Sequence, residues 1–138
     1  MTRPVEYIAG WQPELTALRR DLHMHPELGF EEHRTAQVVC ERLTAMGIEH
    51  HAGIGKTGVV AVVRGRQTKS GRAIGLRADM DALPMQEENS FAHRSRFDGR
   101  MHGCGHDGHT VMLLAAARYL HETRHFDGTA YLIFQPGE

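Results

Sequence analysis

Seven consecutive residues, Gly58 to Arg64, read G-V-V-A-V-V-R, and their β-branched side chains suit a pleated strand better than a helix. A run that is apolar at both parities predicts a strand covered on both faces, which restricts the chain to a layered architecture. Gly128 to Gln135, G-T-A-Y-L-I-F-Q, predicts a second buried strand that stops at Pro136. A third strand candidate, Ala73 to Ala78, follows the polar turn Gly65 to Gly71 and ends at Asp79. Elsewhere the apolar period is helical. From Val5 to Met24 it runs through Ile8, Trp11, Leu15, Leu18 and Leu22, until Pro26 and Gly29 interrupt it. From Glu31 to Met46 it runs through Ala36, Val39, Cys40, Leu43 and Met46, with Gly47 beyond the end as a C-cap. Gly108 to Glu122 is rich in helix formers, and Phe91 to Gly103 has no clean period and predicts a loop. Helices first, then strands interleaved with a helix, predict an α/β fold: a layered sheet with flanking helices.

The 138 residues suit one compact domain or a piece of a larger one. Lys and Arg number 16 against 17 Asp and Glu, so there is no basic footprint for nucleic acid or an anionic membrane surface. No apolar run approaches the roughly 20 residues that span a bilayer. Met1 to Gly10 carries Pro4 and Glu6 and lacks the apolar region of a secretory signal. Two cysteines make no disulfide framework, so a reducing, cytoplasmic setting is expected. Histidine is the outlier, with 11 copies.

Three of them fall in Met101 to His109, M-H-G-C-G-H-D-G-H, beside one thiol and one carboxylate. Glycines at 103, 105 and 108 permit tight or positive-φ backbone. Cys104 and His106 are two apart, so in an extended loop both side chains point to one side. Thiolate and imidazole together suit Zn²⁺, or a neighbour such as Co²⁺, Ni²⁺ or Mn²⁺. A lone Cys beside a His is ordinarily structural, and structural zinc uses two paired ligand clusters. The second cluster is missing here, which favours a catalytic centre. Asp79, Asp81 and Glu138, just past predicted strand ends, are the further donors, where ligand sites of such sheets gather. Each has a plainer reading as well. Asp79 and Asp81, before Pro84, read equally as turn residues, and Glu138 as a solvated carboxylate. Cys40 is expected in the core. His23, His25, His33, His50, His51, His121 and His125 are expected at the surface, and the charged tract Gln86 to Arg100 reads as a solvated loop.

Four segments in order resemble the M20 metallopeptidase and amidohydrolase family, and its aminoacylase-like branch most closely. They are L-R-R-D-L-H-M-H-P-E-L-G-F-E-E-H-R-T (Leu18 to Thr35), G-L-R-A-D-M-D-A-L-P-M-Q-E (Gly75 to Glu87), M-H-G-C-G-H-D-G-H, and F-Q-P-G-E (Phe134 to Glu138). The resemblance implies the N-terminal part of a zinc-peptidase-like catalytic domain. Cys104 and His106 match metal ligands, Asp81 a supporting active-site aspartate, and Glu138 the general base. Asp79 stands where distant relatives carry a ligand histidine, and Asp107 and His109 are further candidates for supporting or ligating roles. One or two divalent ions (Zn, Mn, Co or Ni) are implied. The second Glu of a Glu-Glu pair, further ligand histidines, the rest of the sheet and a lid domain used for dimerisation would lie beyond residue 138.

The implied reaction cleaves the amide of an N-acyl amino acid, hippurate-like or N-acetylated, to a carboxylate and a free amino acid. The complete protein is expected as a homodimer or homotetramer, with no nucleic acid or membrane partner. The 138 residues alone are expected to be inactive and to fold poorly. Two alternatives stay open: a dipeptidase or carboxypeptidase of the same family, and a non-catalytic metal-binding module.

Overall fold

In the computed structural model, which describes residues 2–138, three helices are followed by three strands, a fourth helix and a fourth strand. They are α1 (Pro4–Ala9), α2 (Gln12–Met24), α3 (His33–Ala45), β1 (Glu49–Ile54), β2 (Gly58–Arg64), β3 (Ala73–Asp79), α4 (His106–Thr123) and β4 (Thr129–Gln135). The sheet order is β1-β2-β4-β3, antiparallel except where β3 and β4 run parallel. This is the α/β layered fold expected from the sequence.

The helices cover one face of the sheet. Val59, Ala61 and Val63 of β2 lie opposite Phe134, Leu132 and Ala130 of β4. Leu18 and Leu22 of α2, Val39 and Leu43 of α3, and Val111, Leu114 and Ala117 of α4 close over them in one cluster. The other face is barer than the expectation of double cover: Tyr131 is 41% exposed and Val60 half-buried, although Val62 is buried. β3 is an edge strand whose first residues are exposed.

The end of α3 is fixed by local chemistry. Gly47, at φ +72°, takes the left-handed turn that a Cβ would oppose. Its N–H donates to Thr44 O at 3.0 Å, and Ile48 N–H donates to Leu43 O at 2.9 Å. Those two bonds satisfy the orphan carbonyls, and they bring the buried Ile48 against Leu43, as a Schellman closure requires.

Several elements differ from the sequence expectation. The first helix is two, broken at Gly10 and Trp11, because Pro13 in the first turn of α2 cannot donate back across the break. β1 was not anticipated, since E-H-H-A-G-I has neither an apolar run nor alternation; it is an edge strand held by pairing to β2. α4 starts at His106, two residues early, because Gly105 at φ +84° turns the chain directly into the helix. Among the described residues, no helix is long and apolar enough to cross a membrane.

The parallel β3–α4–β4 unit brings three chain ends to one place. Asp79 pairs with Gln135 at the carboxyl ends of β3 and β4, and Met80 N–H continues the ladder to Gln135 O at 3.1 Å. The N-terminus of α4 opens beside them, since Thr110 Oγ1 donates to Asp79 O at 3.1 Å.

Candidate functional site

Strand alternation continues past β3, so Asp79 and Asp81 stand on the same side with the buried Met80 between them. Both meet His106, which is 2% exposed. Its Nδ1 lies 2.8 Å from Asp81 O and 2.9 Å from Asp81 Oδ1. A carbonyl oxygen only accepts, so Nδ1 carries the hydrogen and Nε2 keeps its lone pair. Nε2 faces Asp79 Oδ2 at 3.3 Å and Glu138 Oε2 at 3.4 Å.

Two groups of ligand-type atoms share the His106 ring. Cys104, His106 and Glu138 have donor atoms within 4.8 Å of one another, and so do Asp79, His106 and His109. Cys104 and Glu138 are exposed, which leaves the first group open to solvent. The second is already knitted together: His109 Nδ1 donates to Asp79 Oδ1 at 2.7 Å. Burial pushes the Asp79 carboxyl up, but the His109 hydrogen bond and the electrostatic influence of the neighbouring His106 ring outweigh it. They hold it below the usual carboxylate range. The donors left uncommitted are therefore Cys104 Sγ, His106 Nε2 and the Glu138 carboxylate.

Asp107 does not join them. Its Oδ2 accepts from His23 Nδ1 at 2.8 Å and Arg19 Nε at 3.0 Å, and its Oδ1 accepts from Gly108 N–H at 2.9 Å. The other nitrogen of His23 lies 3.1 Å from both Glu87 oxygens. Glu87 also accepts from Asn89 Nδ2 and Ser95 N–H, at 2.9 and 2.7 Å. Burial raises the Glu87 carboxyl, but these donors together bring it below its ordinary value. His23 and Glu87 differ from the sequence expectation of solvated surroundings: both are buried. Arg19 and His23 are four apart on α2, beside the Leu18 and Leu22 stripe. That pair was the available signal, but its acidic partners lie 64 and 84 residues away from His23.

His102 is also buried, with neither ring nitrogen hydrogen-bonded, and burial drives its pKa down to about 4. His25, His50 and His121 are half-buried, while His33, His51 and His125 are exposed as expected. Cys40 is half-buried against the core.

A profile of Peptidase family M20/M25/M40 matches residues 75–138. The chain is 48% identical over 131 residues to a hippurate hydrolase from Campylobacter jejuni, covering 95% of this chain and 33% of that protein. It is 47% identical over 126 residues to an N-acyl-L-amino acid amidohydrolase from Geobacillus stearothermophilus, covering 91% and 34%. A dinuclear metal-binding M20 peptidase from Bacillus subtilis superposes with a TM-score of 0.89 at 42% identity, over 94% of this chain and 36% of that one. The chain therefore spans about a third of the length of the curated relatives it matches.

Proposed function

The chain belongs to peptidase family M20/M25/M40, and from that premise we propose that its protein is a metal-dependent hydrolase of N-acyl amino acids. One observation carries the reading: His106 is locked by Asp81 with its Nε2 turned toward Glu138, and a ligand-type atom of its ring groups with those of Cys104 and Glu138. A thiolate, an imidazole and a carboxylate, two of them solvent-accessible, form a donor set that fits Zn²⁺, Co²⁺, Ni²⁺ or Mn²⁺. Cys104 and His106 would hold the ion, which supplies Lewis acidity toward an amide carbonyl and acidifies water.

The chain's own residues would do the rest. Glu138 takes the proton from water as the water oxygen attacks the acyl carbon. It then delivers that proton to the amine nitrogen as the C–N bond breaks, leaving a carboxylic acid and a free amino acid. Asp81 fixes the tautomer and direction of the His106 ring. Asp79, kept ionised, holds His109 beside it.

The test is release of free amino acid from N-benzoyl and N-acetyl amino acids by the protein expressed from its complete gene. Chelation is expected to abolish release and one of the four metals to restore it. Glu138→Gln is expected to lower turnover by about 10²-fold or more. Cleavage of dipeptides without cleavage of N-acyl amino acids would move the assignment to a dipeptidase. Metal uptake with no hydrolysis of either would make the protein a metal-binding module.

A further inference from the structure

Pro136, Gly137 and Glu138 leave β4 as a short strap, and a buried carboxylate far away in sequence holds it. Glu32 occupies the N-cap position of α3 without a side-chain cap hydrogen bond, and it has no exposed surface. Its Oε2 accepts from the Gly137 N–H at 2.7 Å, and its Oε1 accepts from the Thr57 hydroxyl, also at 2.7 Å. Thr57 sits at the β1–β2 turn and is itself buried. Among the described residues no Arg, Lys or His comes within ion-pairing distance of Glu32. A buried carboxylate without a cation is costly unless its hydrogen bonds are geometrically well made. Nothing in the chemistry assigned above uses it.

The strap has little other freedom. Gly137 lies at φ +45° against the Phe30 ring, where a Cβ would come within 2.5 Å of Cε2. Its Cα lies 3.2 Å from where a Cβ on Gly29 would stand. Glu138 N–H donates to Asp81 Oδ2 at 3.3 Å, so the carboxylate that orients His106 also holds the residue facing it. Of the two amides bracketing the Gly137–Glu138 step, the shorter and less exposed bond is the one to Glu32.

We infer that Glu32 is a positioning residue: through the Gly137 amide it sets where the Glu138 carboxylate stands relative to His106. This rests on the assignment of Glu138 as the proton shuttle. A base displaced by about 1 Å costs up to 10²-fold in rate, which is the scale on which such an anchor acts.

The substitutions Glu32→Ala, Glu32→Gln and Thr57→Val separate this role from general stability, in the protein expressed from its complete gene. Ala removes both acceptors. Gln keeps an oxygen for the Gly137 N–H and can donate its amide to the Thr57 hydroxyl, so it restores both contacts. Thr57→Val breaks the other bond and leaves the strap attached. Glu32→Ala is expected to speed hydrogen exchange at the Gly137 amide about tenfold or more. It should lower kcat by about 10- to 100-fold with KM changed less than about threefold. Glu32→Gln should recover most of both, and Thr57→Val should lower Tm while sparing kcat. Unchanged exchange at Gly137 in Glu32→Ala, or equal kcat losses in Glu32→Ala and Thr57→Val, would overturn the inference. Glu138→Gln, measured alongside, keeps the two questions apart. Hydrolysis that survives it removes the shuttle assignment, while Gly137 exchange still reports whether Glu32 holds the strap.

Discussion

At the scale of residues, two hydrogen-bonding patterns decide what the titratable groups can do. Asp81 engages Nδ1 of His106 through two oxygens, so Nε2 is the ring nitrogen that the proposed metal would meet. Cys104 supplies the softest donor beside it, and a serine hydroxyl binds borderline metals weakly because it stays protonated near neutrality. Cys104→Ser is therefore expected to weaken Zn²⁺ or Co²⁺ binding by tenfold or more and to abolish the Co²⁺–thiolate absorption band. Titration of the metal-free protein would measure both. Glu87 gives a pH prediction. Its carboxyl is lower folded than unfolded, so it stabilises the fold at pH values above its unfolded pKa, about 4.3. That contribution is lost as pH falls through the folded value. Urea unfolding across the acid range should show the loss, and Glu87→Gln should flatten the dependence below about pH 4 while lowering stability at neutral pH.

Among the elements, ends matter more than middles. Gly105 starts α4 early enough to put His106 and Asp107 in its first turn, and that turn points one at the metal-type donors and the other at His23. The α3 terminus depends on Gly47 in the same way. Gly47→Ala is expected to cost about 1–2 kcal/mol, because alanine must adopt φ +72° or surrender the two closing hydrogen bonds. Comparing its denaturation midpoint with that of Gly10→Ala, at negative φ and with open space around its Cβ, isolates the left-handed term.

For the whole molecule, the centre exists only when four segments meet: the β3 exit at Asp79 and Asp81, the loop and first turns of α4 from Cys104 to His109, the β4 strap to Glu138, and the turn into α3 at Glu32. Such a site is absent from the unfolded chain, so metal binding adds to folding stability. Zn²⁺ at about 100 times its dissociation constant is expected to stabilise the fold by about 2.7 kcal/mol. Thermal unfolding with and without chelator measures this, and His106→Ala should remove the difference.

Much of this was legible in the chain itself. The β-branched run of β2 and the helical stripes of α2, α3 and α4 report burial by periodicity, because solvent sorts side chains along each element before the elements meet. The glycine-spaced Cys104–His106 segment and the Asp79–Asp81 pair declare their chemistry locally, within a few residues. β1 was hidden because an edge strand takes its shape from its neighbour. His23 and Glu87 looked solvated because their partners are distant in sequence, and Glu32 gave no local sign that it would be buried against Gly137. Periodicity and donor chemistry are properties of neighbouring residues, so the sequence by itself determined the apolar strands, the helical stripes and the types of donor group. Which lone pair is free, which carboxylates are buried and what holds Glu138 depend on contacts across 25 to 105 residues, and only the tertiary structure decided them.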